Sequence, residues 1–227
     1  FYTPKQIVQY MTQESLIEYL NTHLSTEKYK ISNYIKDNQA KLTTQELKDI
    51  DVLLDNVKIC DPAIGSGAFP MGLLQEIFSL KERIAFELGF KVWSPATVKE
   101  NIIQNSIYGV DIEKGAVDIA RLRFWLSLTV DEDLPKALPN LDYKIVVGNS
   151  LVSKFQDEVI EIDWSIKEGT QSNLFGYSLE EDKQQLLKEI SDKQKQFFHT
   201  ESKDKKKLAS EIRITKIKLL SKQIELM

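Results

Sequence analysis

In the first two thirds of the chain, short apolar segments alternate with longer segments in which apolar residues recur at helical spacing. Three short apolar segments have the character of buried strands, at Val57 to Cys60, Ile107 to Asp111 and Tyr143 to Val147. Between them, apolar residues recur at helical spacing over Phe69 to Phe86 and Glu113 to Val130. Because strands that alternate with helices usually pair in parallel, the pattern predicts an α/β fold with a parallel, doubly wound sheet.

Helix starts are indicated where Thr precedes Gln or Glu by three residues, which is the spacing of a capping box. Such boxes occur at Thr3 to Gln6, at Thr43 to Glu46, and at Thr97 to Glu100 just after Ser94-Pro95. In the first of them, Pro4 would occupy the first helical position, where its missing N–H costs nothing. We therefore predict helices that begin at Thr3, at Thr43 and at Ser94-Pro95, the last with Thr97 to Glu100 as a further capping box.

The alternation of strands and helices ends at Leu151. Val159 to Trp164 predicts one more strand, and two amphipathic helical patterns follow, at Leu179 to Phe197 and Leu208 to Met227. These patterns predict a helical hairpin that packs on itself or on another part of a longer protein. The residues expected at its interface are Leu186, Ile190 and Phe197 on the first helix and Ile217, Leu220 and Ile224 on the second.

Polar residues follow each predicted strand, and two glycines follow the first one. Asp61, Asp111 and Asn149 are expected along one edge of the sheet, at the carboxyl ends of its strands, where open α/β sheets bind ligands. Gly65 and Gly67 permit positive φ angles and a close approach of the backbone to a small molecule. The sequence therefore predicts a site for a nucleotide-like ligand.

Two common phosphate-binding motifs do not fit this site. The dinucleotide fingerprint G-x-G-x-x-G needs glycine where Pro70 stands and an acidic residue about 20 positions further on. Asp111 instead follows Gly67 by 44 residues, and a further predicted helix lies between them. The chain also contains no G-x-x-x-x-G-K-[ST]. Binding of a phosphate group is therefore not the favoured function of the glycine loop.

Composition narrows the class of protein further. The 227 residues are 42% hydrophobic and 28% charged, as in an ordinary globular protein, and the sequence has neither a membrane-spanning apolar run nor a signal segment at its start. We expect a cytoplasmic protein without membrane contact. Cys60 is the only cysteine and is predicted to be a buried thiol. Because there are only two histidines, we predict no metal site.

Charge is unevenly distributed along the chain. The formal net charge is −4, yet Lys193 to Lys222 contains ten Lys or Arg against three Asp or Glu, an excess of seven positive charges. This stretch is either a solvated face of the predicted hairpin or a surface that contacts phosphate groups. The chain begins at Phe1 and ends within a helical pattern at Met227, so we expect it to be part of a longer protein.

Four motifs in register resemble those of adenine-specific (N6) DNA methyltransferases. They are F-Y-T-P at Phe1 to Pro4, D-P-x-x-G-x-G-x-F at Asp61 to Phe69, G-x-D-I at Gly109 to Ile112, and Gly148 to Leu151. The nearest group is the type II restriction-modification enzymes that combine cleavage and methylation in one polypeptide. The resemblance covers roughly residues 1–12 and 55–152, and it implies part of a Rossmann-like S-adenosylmethionine-dependent sheet over 55–152. We expect a helical segment over 1–54 and a helical hairpin insertion over 153–227, whose positive charge suggests a position close to DNA.

The resemblance also implies how S-adenosyl-L-methionine would bind. The methionine carboxylate would contact Thr3 and the backbone amides from Ala63 to Gly67, and Asp61 would lie near the amino group. Asp111 would accept the ribose hydroxyls, Ile112 would pack on the adenine ring, and Asn149 would accept from the exocyclic amine. The expected cofactor-binding residues are Tyr2, Thr3, Pro4, Asp61, Pro62, Ala63, Gly65, Ser66, Gly67, Phe69, Asp111, Ile112, Asn149 and Ser150.

The catalytic signature of these enzymes is absent from the sequence. In the family, an N-P-P-Y-like segment holds the flipped adenine, and no N-P-P, D-P-P or S-P-P occurs here. We therefore name no catalytic residue and expect the chain alone not to methylate. DNA, a nuclease domain and a target-recognition domain are the partners that the resemblance implies for the longer protein. Alternative functions are a non-catalytic cofactor-binding and DNA-contacting scaffold, or a methyltransferase acting on RNA or protein.

Overall fold

The computed structural model describes residues 3–37, 40–130, 141–152, 154–155, 158–159, 177–199 and 202–225. The chain divides into two compact units. The first comprises Phe1–Lys136 and Lys144–Ser150, and the second comprises Ala137–Tyr143 and Leu151–Met227. The fold is mixed, because many helices accompany a small parallel sheet.

Three parallel strands form the sheet of the first unit. They are β1 (Ile59–Asp61), β2 (Ile107–Asp111) and β3 (Ile145–Val147), in the order β1-β2-β3. Asp61 pairs with Gly109, and Asp111 pairs with Val147. The predicted strands and their parallel pairing are confirmed. The described strand order has no reversal, so the topological switch point of a doubly wound sheet is not among these three strands.

In the described part of the first unit, six helices accompany the sheet. Thr43 caps the third with the predicted capping box: the Glu46 N–H donates to Thr43 Oγ1 at 3.2 Å, and the Thr43 N–H donates to Glu46 Oε2 at 2.7 Å. The predicted long helices after β1 and β2 are also confirmed. The six helices are α1 (Lys5–His23), α2 (Lys28–Lys36), α3 (Thr44–Asn56), α4 (Ala68–Glu87), α5 (Pro95–Ser106) and α6 (Lys114–Thr129).

The helix start predicted at Ser94-Pro95 is confirmed, whereas the cap predicted at Thr3 and the capping box predicted at Thr97 were wrong. Pro4, and not Thr3, is the N-cap of α1, and no side chain caps this helix. Proline fixes φ but not ψ, so Pro4 remains extended at ψ 143° while its carbonyl accepts from the Ile7 N–H at 3.0 Å. The cap of α5 is Ser94, whose hydroxyl accepts from the Thr97 N–H at 3.4 Å. Thr97 is therefore already inside the helix.

Helices α1 and α4 pack with their amino-terminal ends side by side. Val8 and Thr12 lie against Gly72 of α4, and Gln13 Nε2 donates to Glu76 at 3.4 Å. Residues further along α1 therefore contact residues further along α4, so the two helices run in the same direction. A Cβ at Gly72 would lie 2.6 Å from Val8 Cγ1, so glycine is required for this close approach.

A buried lysine links α3 to α4. Lys81 Nζ lies 2.6 Å from Asp51 Oδ1 and 2.9 Å from Asp55 Oδ1, and the lysine side chain is 9% exposed. Two carboxylates thus compensate a charge that would be costly to bury alone. Around this pairing, the core of the unit is aliphatic, with Leu16, Leu20, Leu54, Leu74, Ile77 and Ile84 among its fully buried side chains.

Cys60 is exposed, so the prediction of a buried thiol was wrong. Successive side chains of a strand point to opposite faces. Ile59 and Asp61 are half-buried on one face of β1, and Cys60 points to the other face. Among the described strands, β1 also pairs on one side only, with β2. The apolar run before Asp61 therefore does not imply burial on both faces.

The second unit contains the predicted helical hairpin. Its helices are α7 (Tyr177–His199) and α8 (Ser202–Glu225), and a short antiparallel pair, β4 (Lys154–Phe155) and β5 (Glu158–Val159), precedes them. Of the strand predicted from Val159 to Trp164, residues 160–164 lie outside the described part of the chain. No helix in the described ranges is both long enough and apolar enough to span a membrane.

Two apolar clusters hold the hairpin together. Leu187 and Ile190 of α7 pack with Leu219 of α8, and Phe197 packs with Leu208 and Ile212. Ile190 and Phe197 are confirmed at this interface, and Leu186 packs against it partly buried. Ile217 was predicted there wrongly, since it is 53% exposed. The inward face of α8 instead carries Leu208, Ile212, Thr215 and Leu219, while the side chains of Leu220 and Ile224 lie outside the described residues.

We predict that Gly72→Ala destabilises the chain. Overpacking costs typically about 1–3 kcal/mol, which exceeds the gain of roughly 1 kcal/mol from placing Ala rather than Gly in a helix. The expected loss of unfolding free energy is therefore about 0.5–2 kcal/mol, measurable by urea denaturation followed by circular dichroism.

A second substitution tests the cause of this loss. Val8→Ala removes the atom that lies 2.6 Å from the added Cβ. In the Val8→Ala background, Gly72→Ala should therefore cost less by at least about 0.5 kcal/mol. Strictly additive effects of the two substitutions would contradict the packing described here.

Candidate functional site

Three polar residues lie at the carboxyl ends of adjacent parallel strands. Asp61 ends β1, Asp111 ends β2, and Asn149 follows the end of β3 by two residues. The strand register brings these ends to the same edge of the sheet. The three residues expected at one edge are therefore together there, in the position where parallel sheets bind ligands.

The loop from Pro62 to Gly67 is fastened to the second strand by its backbone. The Ile64 N–H donates to the Val110 carbonyl at 2.9 Å, and the Gly65 N–H donates to Asp111 Oδ2 at 2.8 Å. The Gly67 N–H donates to the Ile64 carbonyl at 2.8 Å and so closes the turn. The loop after β1 thus takes its shape from β2, 46 residues further along the chain.

Asp111 organises the edge of the sheet with its side chain and its backbone. Oδ2 accepts from Gly65, Oδ1 accepts from the Glu113 N–H at 2.9 Å, and the main-chain carbonyl accepts from the Gly148 N–H at 2.9 Å. One residue therefore connects the loops that follow all three strands. Each carboxylate oxygen has two acceptor positions, so the side chain can still accept hydrogen bonds from a ligand.

Three glycines at this edge have distinct structural roles. Gly67 has φ +84°, caps α4, and would bring a Cβ to 3.2 Å from the Ala120 Cβ. A Cβ at Gly109 would lie 2.2 Å from Ile64 Cδ1, so the second strand needs glycine for the loop to lie on it. Gly65 has φ +54° and no atom within 4 Å of such a Cβ. The space next to Gly65 is therefore open, whereas the space next to Gly67 and Gly109 is occupied by other side chains of the protein.

Two residues that sequence reasoning did not assign to the site hold the loop in place. Arg123 of α6 donates from Nη1 to the Ser66 carbonyl at 2.9 Å, and buried Ile64 fills the space above Gly109. Ser150, expected at the site, donates from Oγ to the Pro62 carbonyl at 2.8 Å. Only Ile64 had a usable signal, as the single bulky apolar residue between Asp61 and Gly67. Nothing in the sequence distinguishes Arg123 from other polar residues on an amphipathic helix.

The remaining predicted site residues differ in exposure. Ile112 is 72% exposed and so offers apolar surface next to the polar edge of the sheet. Phe69 is half-buried in the first turn of α4, and Thr3 is half-buried next to the start of α1. Because α1 and α4 run side by side from their amino-terminal ends, Thr3 belongs to the same end of the unit as Gly67. Tyr2 lies outside the described residues.

The chemistry of this edge suits a ligand with hydroxyl groups and a flat apolar ring. Carboxylate oxygens accept from hydroxyls, backbone amides at the start of α4 attract a carboxylate, and Ile112 offers apolar surface. No side chain caps α4, and its first turn contains no acidic residue. Among the residues that the structure describes, no group of His, Cys, Asp or Glu could hold a metal ion.

Known proteins with similar sequences include restriction-modification enzymes. Residues 105–216 match a family model described as the Eco57I restriction-modification methylase. The chain is 31% identical over 182 residues to a protein of Methanocaldococcus jannaschii named as a type II restriction enzyme and methyltransferase. This alignment covers 73% of the chain but only 15% of the relative's length. No solved structure is significantly similar to the chain.

We predict that Asp111→Asn loosens the glycine loop, whereas Asp61→Asn does not. Both Asp111 oxygens accept from backbone N–H groups, and an asparagine amide can replace only one of them. Loss of the other bond should reduce the unfolding free energy by about 1–3 kcal/mol and accelerate hydrogen exchange at the Gly65 or Glu113 amide.

Asp61→Asn is the matched control for this substitution. Asp61 Oδ1 accepts from the Ala63 N–H at 3.1 Å, and an asparagine oxygen can accept the same bond. Its unfolding free energy should stay within about 0.5 kcal/mol of the wild type. Equal effects of the two substitutions would show that Asp111 does not fasten the loop.

Proposed function

Because the chain belongs to the restriction-modification methylases, we propose that it is the cofactor-binding part of an adenine-N6 DNA methyltransferase. Residues 55–152 would form a Rossmann-like core that binds S-adenosyl-L-methionine, the methyl donor. The observation that carries the proposal is the Asp111 carboxylate, which lies at the end of β2 and is bonded to the glycine loop. Acidic residues at the end of a second parallel strand commonly bind ribose.

In this proposal, Asp111 accepts the two ribose hydroxyls of the cofactor. A carboxylate suits a vicinal diol because its two oxygens match two donors. The backbone bonds from Gly65 and Glu113 support this role, since they fix the plane of the carboxylate before a ligand arrives. Fixed acceptors lose little conformational entropy on binding.

The adenine ring of the cofactor would lie between Ile112 and Asn149. Ile112 is exposed on the loop after β2, so a flat ring would cover apolar surface that water now contacts. Asn149, also exposed, follows β3 and carries an amide oxygen that can accept from the exocyclic amine. An aspartate is frequent at this position in the family, and an amide is the weaker acceptor.

The methionine part of the cofactor would lie over the glycine loop. The start of α4 carries the positive end of the helix dipole, which favours a carboxylate by roughly 0.3–1 kcal/mol. The open position at Gly65 allows a ligand to approach the backbone closely. Thr3 is near the amino-terminal end of the adjacent helix, which supports its proposed contact with the same carboxylate. Asp61 would attract the amino group by its charge.

S-adenosyl-L-methionine, when bound, supplies a methyl group on a sulfonium, which can pass in line to the adenine amine of DNA. The residues described here would bind and orient this donor, and orientation itself contributes to the rate. The 227 residues contain no N-P-P, D-P-P or S-P-P to hold the acceptor base. We therefore propose that methyl transfer requires a segment outside this sequence.

We predict that the chain binds S-adenosyl-L-methionine and that Ile112→Ala weakens this binding by about 5- to 30-fold. The reason is that Ala covers the adenine ring with about two to three fewer buried carbon groups, each contributing roughly 0.8 kcal/mol at most. Isothermal titration calorimetry of the two proteins measures the change directly.

Phe86→Ala provides the matched control. Phe86 is 87% exposed and lies at the carboxyl end of α4, about 28 Å along the helix from Gly67. This substitution should leave the affinity unchanged, and the wild type should not bind NAD or ATP at similar concentrations. Absence of cofactor binding by the wild type, or equal losses in both variants, would overturn the proposal.

A further inference from the structure

Among the side chains of α8 that the structure describes, those on the outward face carry positive charge and include no carboxylate. The inward face is defined by buried Leu208, Ile212, Thr215 and Leu219. At 100° per residue, eight exposed residues lie on the opposite half of the helix among those whose side chains the structure describes. These eight, which we call the α8 outer face, are Lys206, Lys207, Ser210, Arg213, Ile214, Ile217, Lys218 and Ser221.

The acidic side chains that the structure describes in the hairpin lie elsewhere. Glu211 lies off this face, half-buried and 3.5 Å from Lys193 of α7, and Glu189 pairs with the same lysine at 2.7 Å. Lys206, Lys207 and Arg213 form no ion pair with any other residue that the structure describes. The charge of Lys193 is therefore compensated within the hairpin, whereas those of Lys206, Lys207 and Arg213 are not.

The exposed surface of α7 differs from the α8 outer face in the sign of its charges. Its exposed residues include two lysines, Lys188 and Lys195, and two carboxylates, Glu189 and Asp192. A face with both signs is typical of a helix surface that meets only water. Solvation alone therefore explains the charges of α7 but not the single sign of the α8 outer face.

The rest of the chain has the opposite charge. Outside Lys193 to Lys222 there are twenty Lys or Arg and thirty-one Asp or Glu, because the stretch takes ten of 30 and three of 34. A polyanion would therefore be repelled by most of the chain and attracted to this stretch. Attraction confined to this stretch favours a defined contact over diffuse adhesion.

We infer that the α8 outer face contacts the phosphate backbone of duplex DNA. This inference rests on the proposed function, which makes DNA the substrate of the longer protein. From Lys206 to Lys218 the face spans about 18 Å, the axial length of roughly five base pairs. Lysine and arginine neutralise phosphates, and the hydroxyls of Ser210 and Ser221 can donate to phosphate oxygens. Contacts of this kind position a protein on DNA without reading its sequence.

The test compares two variants that each remove four positive charges from the complete 227-residue chain. One carries Lys206→Gln, Lys207→Gln, Arg213→Gln and Lys218→Gln. The control carries Lys48→Gln, Lys91→Gln, Lys188→Gln and Lys195→Gln, all at exposed positions outside the α8 outer face. Fluorescence anisotropy with a labelled random-sequence DNA duplex, repeated over a series of salt concentrations, gives the slope of log K against log salt.

The α8 variant should lower the magnitude of this slope by about two to four and weaken binding at low salt by at least about tenfold. The control should retain most of the wild-type slope. Equal slopes in the two variants, or a wild type that does not bind the duplex, would overturn the inference. Tighter binding of an RNA duplex at the same salt concentration would overturn the assignment of DNA.

Calorimetry with S-adenosyl-L-methionine separates this inference from the proposed function. Both variants should bind the cofactor as the wild type does, which also verifies that they are folded. If they bind it but the slopes are equal, the inference fails and the proposed function stands. If no form binds the cofactor while the slopes differ as expected, the helix face contacts DNA and the proposed function fails.

Discussion

The hydrogen bond from the Gly65 amide to the Asp111 carboxylate joins two parts of the chain that are 46 residues apart, at the edge of the sheet. The loop after β1 has little apolar surface of its own, so this bond and that from Ile64 to Val110 determine its shape. Because the loop ends at the N-cap of α4, its shape also determines where that helix begins. The position of α1 follows, since α1 packs along α4.

The second constraint on the packing of these helices and the sheet is that side chains lie very close to the backbone at three glycines. Gly67 meets Ala120 of α6, Gly109 meets Ile64, and Gly72 meets Val8, and at each point a Cβ would come within 3.2 Å of another side chain. Interiors packed to crystal-like density do not accommodate an added methyl group without displacement. These three glycines therefore set the distances between α1, α4, α6 and the sheet. Gly65 differs, because its surroundings are open.

The sequence predicted the elements with strong local signals and missed those that depend on tertiary contacts. Strand β2 and the box at Thr43 were predicted at their observed residues, because a short apolar run and a reciprocal cap are local features. Pro4 was misplaced by one position because its fixed φ is compatible with either side of a helix start. Cys60 was misjudged because an apolar run cannot reveal which face of a strand is covered.

At the candidate site, sequence motifs identified the residues that end the strands but not those that hold the loop. Asp61, Asp111 and Asn149 could be assigned to one edge because parallel strands bring their carboxyl ends together. Arg123 could not, because its bond to the Ser66 carbonyl depends on the rotation of α6 over the loop. On α8, Ile217 was likewise assigned to the wrong face, since a helix with apolar residues on two sides does not reveal which side is packed.

The stability of the helical hairpin does not depend on the charges on its outward surface. Its interface consists of aliphatic and aromatic side chains, and its internal charges pair at Lys193. Exposed ion pairs contribute little to stability, with a median of about 0–1 kcal/mol, so folding places almost no demand on the charges of the outward half of α8. Like charges at neighbouring positions on a helix surface repel each other, and opposite charges attract. Each such pair changes the stability of the helix by only a few tenths of a kcal/mol. A single-sign face beside a mixed-sign one is therefore better explained by what the face contacts than by the requirements of the fold.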